Sequence, residues 1–378
     1  MDYDVVVAGG SVAGLLCARE ISSHNHKVLV IEEDSEIGTP EHCGGVVSIS
    51  AIDELGIIPM RSTLDNKIRS ADIVSPSGTR FTLDARPQQV IVLDRREFDK
   101  QIAHQAKING AEIHVRSSLR EITSDGVRTS DGEIKCKVVV DARGVSSLIQ
   151  KDRTGILQSA QYEVYADWVN KERIEVYLDQ EKYPGFFAWI IPTRRDEAKV
   201  GVAGKGINAA SVLENFLGHK GRYSAIRKIF APIWVKGPIK EFVTGNTVTI
   251  GDAAGQSKPT TAGGIYSCGL GGILAGKAIS KFLESKNESK LLEYQKAWLE
   301  KFGREFEQML LARSLLERLD NKTIDRLFES ITPQVLDEIS REGSFDFHTT
   351  SVAKLLGVKG SAKAIQAILG NELRRLLT

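Results

Sequence analysis

The sequence is sparing with cysteine and histidine, balanced in charge and short of long apolar runs, and these shortages remove classes of function. Its four cysteines, Cys17, Cys43, Cys136 and Cys268, fit neither the paired spacing of a zinc site nor that of an iron–sulfur cluster, so no metal centre is expected. The seven histidines, at 24, 26, 42, 104, 114, 219 and 348, are scattered. Neither sign of charge is in excess. Fifty Lys and Arg stand against 49 Asp and Glu, which leaves no global field to draw in nucleic acid. Long hydrophobic runs are also missing. The most apolar stretch, 263–279, is glycine-rich and interrupted by Lys277, too short and too broken to span a bilayer. With no charged n-region and apolar h-region of a secretory leader, a cytoplasmic address with free thiols is expected.

What remains is a chain of 378 residues, 42% apolar and 26% charged, long enough for two domains or one large composite domain. A β-branched run over 4–8 reads as a buried strand. A glycine turn follows over 9–14, then helical periodicity over 15–22 and a second buried strand over 28–31, which together close a β-turn-α-β unit. Residues 95–108 read as a helix, with Phe98, Ile102 and Ala106 at helical spacing. Strands are expected over 112–115, 138–140 and 247–250. The stretches 162–168, 173–178 and 186–191 have strand composition and suggest an antiparallel sheet inserted between parts of the nucleotide unit. Beyond Ser285 the chain turns helical. Tyr294, Trp298, Phe302, Phe306 and Met309 recur every three or four residues and form one apolar face, and Leu315, Leu316, Leu319, Ile324 and Leu327 continue it.

Two motifs carry chemistry. In Gly9-Gly10-Ser11-Val12-Ala13-Gly14, Gly9 fits the tight turn of a dinucleotide site and Gly14 its close helix–strand packing. The helix N-terminus behind them offers oriented N–H groups to a pyrophosphate. Ser11 stands where such sites usually carry their middle glycine. Glu32 ends the second strand, 23 residues after Gly9, where a carboxylate accepts both hydrogen bonds of a ribose diol. The second motif is Gly251-Asp252-Ala253-Ala254-Gly255, followed by Pro259 and Gly263-Gly264-Ile265. Asp252 at the end of a short strand suits a ribityl hydroxyl. The later glycines open a helix whose N-terminus suits the pyrimidine edge of a flavin. Together the two motifs point to FAD.

These motifs, with Cys43-Gly44-Gly45 and Arg95 ahead of Phe98-Asp99, resemble the FAD-dependent oxidoreductases related to p-hydroxybenzoate hydroxylase, and within them the geranylgeranyl reductase family. The resemblance spans about residues 1–285. It implies an α/β fold, α+β overall: a Rossmann-like FAD-binding domain over 1–70, 90–150 and 241–285, an antiparallel-sheet substrate domain over 71–89 and 151–240, and a helical C-terminal region over 286–378. It also implies that the loop of Cys43, Gly44 and Gly45 lies near the isoalloxazine. There Cys43 is the candidate catalytic side chain, with Arg95 reaching the cofactor and Leu119 meeting the adenine. The hydroxylases usually carry histidine where this chain has Gly255.

A substrate-cavity motif is matched in the same way. Phe187, Trp189 and Pro192, then Gly201 after eight further residues, resemble the family's aromatic strand, with Phe187, Ile191 and Ala203 departing from its pattern. Such a wall suits a polyisoprenoid chain, which binds by apolar burial. The resemblance implies flavin-dependent reduction of prenyl C=C bonds in archaeal-type lipid precursors, with reduced ferredoxin or NAD(P)H as donor. The substrate is a prenylated membrane lipid, so the protein is expected in the cytoplasm, with peripheral contact at the inner membrane surface as one reading of the amphipathic C-terminal helices and packing within the protein as the favoured one. The competing readings are an FAD- and NAD(P)H-dependent aromatic hydroxylase, a non-enzymatic prenyl-binding escort and a quinone-linked electron-transfer flavoprotein.

Overall fold

The computed structural model describes residues 2–150 and 152–346. Its first layer is a six-stranded sheet. The central strand, Val5–Ala8, is flanked by Val28–Glu32 and then Glu112–Val115 on one side. On the other lie Val138–Asp141, Thr247–Thr249 and Val243–Thr244. All neighbours are parallel except the last pair, which is antiparallel. The strands Val5–Ala8, Val28–Glu32 and Val138–Asp141 are apolar on both faces because both are covered. The helices Val12–Ser23, Arg95–Ile108 and Ile265–Ser285 bury one face. A three-stranded meander over 119–135 buries the other, with Ile122, Val127 and Ile134 on Val6, Leu29 and Val139.

The second sheet runs in the order Ser224–Phe230, Ile156–Tyr165, Glu197–Gly204, Ala188–Arg194, Arg173–Tyr177, Ser70–Val74, Arg80–Asp84. Its neighbours are antiparallel apart from one parallel pair, Arg173–Tyr177 with Ser70–Val74. Side chains alternate along each strand. Ala188, Ile190, Ala198, Val200 and Val202 turn to the helix Ala209–Lys220. Trp189, Ile191, Lys199 and Gly201 therefore share the opposite face. That face meets a small sheet of Val46–Ser48, Leu64–Lys67 and Val90–Leu93, which joins the two large ones.

The helix Ser289–Leu316 lies on Ile265–Ser285 through Tyr294, Trp298, Phe302, Phe306 and Met309, all buried, so the expected apolar face packs inside the protein. Two further helices, Asn321–Ser330 and Pro333–Glu342, reach the edge of the second sheet, where Phe328 meets Phe81 at 4.7 Å. The rest of the expected helical region, from 347 onward, lies outside the described residues. No helix among the described residues is long and apolar enough to cross a membrane.

Candidate functional site

The N-terminal turn is built as close packing demands. Gly9 has φ +116°, and a Cβ there would lie 2.3 Å from the Ala142 carbonyl oxygen. A Cβ on Gly14 would lie 2.0 Å from the Gly9 carbonyl oxygen, so only glycine lets the helix start this near the strand. Ser11, at the missing-glycine position, is extended and turns its hydroxyl sideways. It donates to Asp99 at 3.2 Å and accepts from the Arg95 guanidinium at 3.1 Å. The substitution thus ties the turn to the helix Arg95–Ile108. Glu32 accepts the backbone N–H groups of Gly10 at 2.6 Å and Asp34 at 3.0 Å, which puts its carboxylate beside the turn.

Arg95 is the centre of the charge pattern. It pairs bidentately with Asp99, at 3.0 and 2.9 Å, with side chains only 12% and 4% exposed. Burial opposes its charge, but Asp99, Cys43 and Glu41 hold the guanidinium pKa above its ordinary value. Burial also pushes the Asp99 carboxyl up, against the pull of Arg95 and Ser11. His42 is pushed down, by burial first and then by Arg95. Asp252 is raised by burial, with the Cys268 thiol, Ser257 and Arg95 opposing; Cys268 Sγ donates to its Oδ1 at 3.3 Å. Arg95 therefore stands within electrostatic reach of Cys43, Glu41, His42 and Asp252.

The two motifs, over two hundred residues apart, meet through small residues. A Cβ on Gly251 would come 2.9 Å from the Ala13 Cβ, and one on Gly272 would come 2.2 Å from the Ala13 carbonyl oxygen. The helix Ile265–Ser285 begins after Gly264, with Gly263 beside the Lys258 side chain. Neither this helix nor Val12–Ser23 has a side-chain cap. Asp94, Asn208, Asp320 and Thr332 cap the helices that follow them, while Val145–Ile149 and Ser289–Leu316 also lack a side-chain cap. The N-terminal N–H groups left over at Val12–Ser23 and Ile265–Ser285 suit an anion and a polarised carbonyl. This is the cradle that a pyrophosphate and a flavin edge require, and the residues fit FAD.

Gly44 and Gly45 bring the Cys43 loop against the second sheet and the small one. A Cβ on Gly44 would lie 2.6 Å from Ile191 Cδ1, and one on Gly45, at φ +79°, 2.3 Å from the Leu93 carbonyl oxygen. Cys43 Sγ accepts the Gly45 N–H at 3.3 Å and is partly exposed. Across from the loop, Trp189 lies over Gly201 and donates to Gln161 at 3.1 Å. Phe187 stacks on Phe186 at 4.1 Å and meets Trp189 edge-on at 6.0 Å. Pro192 is further along the strand, its carbonyl accepting from Asn66. Leu119 opens the meander and packs on its apolar side, away from the Cys43 loop.

Gly255 has φ +69°, and a Cβ there would lie 2.0 Å from the Gly237 carbonyl oxygen. The chain has no room for the histidine that hydroxylases carry at this place. Composition and spacing did not single out Glu41, Lys199 or Gln161. Glu41 and Lys199 form a buried pair at 2.5 Å from positions 158 residues apart, and no local pattern marks either one.

The chain is similar to known proteins over most of its length. A lycopene cyclase family profile matches residues 4–167. A digeranylgeranylglycerophospholipid reductase of Methanothermobacter thermautotrophicus is 31% identical, over 90% of this chain and 94% of its own. One from Methanocaldococcus jannaschii is 32% identical, over 87% and 90%. Among solved structures, a geranylgeranyl bacteriochlorophyll reductase-like protein of Thermoplasma acidophilum superposes with a TM-score of 0.83 at 25% identity, covering 99% of this chain and 98% of its own. A flavin-dependent brominase shares the fold, with a TM-score of 0.69 at 19% identity over 99% of both chains. With two relatives above 30% identity over nearly their whole length, the chain belongs to the digeranylgeranylglycerophospholipid reductase family.

Proposed function

We propose that the chain is an FAD-dependent reductase that saturates C=C bonds in the geranylgeranyl chains of archaeal-type lipid precursors. One observation carries this reading: the Cys43 loop rests directly on Ile191, on the same sheet face as Trp189, Gly201 and the Phe187 stack. A cofactor cradle and an apolar wall thus share one boundary. The relatives' names state the lipid class for those proteins, and the wall here suits the same class.

Each group has a defined task. The N–H groups at the start of Val12–Ser23 would hold the pyrophosphate of a bound FAD, and Glu32 the ribose. Ala13 and Gly14 would admit them, and Leu119 would border the adenine. Asp252 would take a ribityl hydroxyl. Gly263, Gly264 and Ile265 would present N–H groups to the flavin pyrimidine. Arg95, locked by Asp99, fixes the cradle to Ser11. When bound and reduced, by ferredoxin or NAD(P)H, the flavin supplies the hydride. Trp189 and Phe187, on the face of Ile191 and Gly201, would bury the prenyl chain, each square ångström contributing roughly 25 cal/mol, while Pro192 pairs with Ala198 on the other face. An isolated alkene accepts hydride poorly, so positioning in a dry cavity supplies much of the rate. Cys43, at the boundary of cradle and wall, would orient the substrate or tune the flavin. The lipid enters by peripheral contact with a membrane.

The test is to reduce the purified protein with dithionite, add geranylgeranyl lipid without oxygen, and follow flavin reoxidation beside product mass. Reoxidation with a gain of two hydrogens per bond is expected. Neither signal, or phenol-stimulated NADPH oxidation with oxygen uptake, would sink the reading, and a colourless protein would favour the escort. Asp252→Ala is expected to release FAD, and full retention would remove Asp252 from the cradle.

A further inference from the structure

The strand register lets the Trp189 face of the second sheet be read in rows. One row crosses it as Ile229, Gln161, Gly201, Trp189 and Val176, with Gln161 its one polar side chain. The next row runs Arg227, Glu163, Lys199 and Ile191. On this face the strands Ile156–Tyr165 and Glu197–Gly204 thus bring polar groups up to a seam, and Ala188–Arg194 continues beyond it with Trp189 and Ile191.

The charged groups along the seam have partners. Lys199 pairs with Glu41 at 2.5 Å, and Arg227 faces Glu163 at 3.4 Å. Gln161 is only half provided for. The residue is 4% exposed, and its Oε1 accepts the Trp189 indole N–H at 3.1 Å. An indole nitrogen only donates, so this bond fixes the orientation of the amide. The Nε2 group, a buried donor, has no acceptor among the described residues. Leaving such a donor unmet costs a fold more than a typical hydrogen bond contributes, and buried polar groups are as a rule paired. The surroundings are those of the proposed site: Trp189 and Phe187 pack on one apolar cluster with Ala262, which directly precedes Gly263.

A prenyl chain offers no acceptor, whereas the glycerol end of a prenylated lipid does. We propose that Gln161 anchors that end, its Nε2 donating to a glycerol oxygen while the chain lies along Trp189 and Ile191. An amphiphile laid across the seam meets both sides at once, apolar wall and single convergent donor. The donor is a neutral amide, which suits an ether or hydroxyl oxygen, and the cations nearby already face carboxylates. The inference rests on the reductase reading and deepens it by naming the part of the substrate that this side chain reads. Gln161 touches the lipid away from the reacting carbons, so its bond is made equally before and during hydride transfer. Its loss therefore appears in KM and leaves kcat. A substrate without the oxygen leaves the donor unpaired, which is how such a site discriminates.

The experiment gives the reduced holoenzyme two substrates without oxygen: a geranylgeranyl glycerolipid, and a hydrocarbon that carries the same chain without glycerol. The ratio of their KM values is expected to shift by about tenfold or more between wild type and Gln161→Met, because only the glycerolipid loses a bond. The kcat and the FAD affinity should stay as they are. Gln161→Glu is the rescue. While its carboxyl is protonated it accepts from Trp189 and donates in place of Nε2, so the ratio should be near wild type at acid pH and shift as the carboxyl ionises. This variant also keeps the test open if Gln161→Met fails to fold. Both substrates weakened alike, or neither, would mean that the amide only holds the indole or meets a buried water, and overturns the anchor while the reductase stands. A fall in FAD affinity with the ratio unchanged would give the donor to the flavin and overturns it too. A wild-type protein inert to both substrates overturns the anchor and the reductase together.

Discussion

Trp189 and Gly201 are cross-strand partners, and the indole fills the space that a side chain on Gly201 would occupy: a Cβ there would lie 2.3 Å from Cζ2 and 2.8 Å from the Ala160 carbonyl oxygen. The eight-residue gap between Pro192 and Gly201 lets the hairpin bring Trp189 and Gly201 opposite each other. Gly201→Ala should destabilise the protein by about 1–3 kcal/mol through overpacking and raise KM for a prenyl substrate. Trp189→Phe in the same chain should recover part of the stability, because the two changes share one contact. Urea unfolding of the two single variants and the double variant checks this, and additive effects would show that the indole does not depend on the glycine.

Arg95 and Asp99 hold each other in near-complete burial. Arg95→Ala leaves a carboxylate uncompensated and should cost about 3–5 kcal/mol. Replacing both by leucine should cost less, since no charge is then stranded. Both forms should bind FAD more weakly, because Ser11 loses its anchors. Denaturant unfolding and FAD titration separate the two effects.

Gly255 is fixed by its left-handed backbone and by the Gly237 carbonyl. Gly255→Ala should lower stability by about 2 kcal/mol or more, and Gly255→His should give little folded protein. A well-folded Gly255→His variant in thermal unfolding would show that the Gly237 segment yields.

Asp65, paired with the exposed Arg194 at 3.2 Å and raised above all by its burial, sets a pH dependence of stability. Its folded carboxyl, at about 6, lies above the ordinary 3.8. Such a group favours the folded state fully below the unfolded value, and that contribution is lost as pH rises through the folded one. The wild-type protein should thus lose stability relative to Asp65→Asn between about pH 4 and pH 6. Chemical unfolding of both across that interval reads the difference, and parallel curves would mean that Asp65 ionises normally.

Local pattern was most informative where local forces decide. The helix expected over 95–108 forms over those residues because Asp94 caps it, accepting from Arg96 and Glu97, and Phe98, Ile102 and Ala106 face the core. The face of Tyr294, Trp298, Phe302, Phe306 and Met309 is likewise buried. Strand edges in the second sheet were less legible. The strand expected over 162–168 runs from Ile156 to Tyr165. Its first half, with Gln158, Ser159 and Gln161, looks polar and gains strand order from pairing with Glu197–Gly204. Trp168 lies beyond the strand, its indole N–H donating to the Arg222 carbonyl. The run expected from 186 begins at Ala188, because Gly185 and the Tyr183 carbonyl hold Phe186 in a turn.

By itself the sequence determined the nucleotide unit, the glycine positions and the aromatic strand, because each depends on residues close in the chain: backbone freedom at Gly9, helical spacing, alternation along a strand. The tertiary structure decided what those pieces do together. Ser11, a gap in the fingerprint, became a tie to Arg95 and Asp99. Glu41 and Lys199 became a buried pair. Each of these partnerships joins residues far apart in the chain, and burial gives their charges the strength that solvent would screen, so only the folded molecule could reveal them.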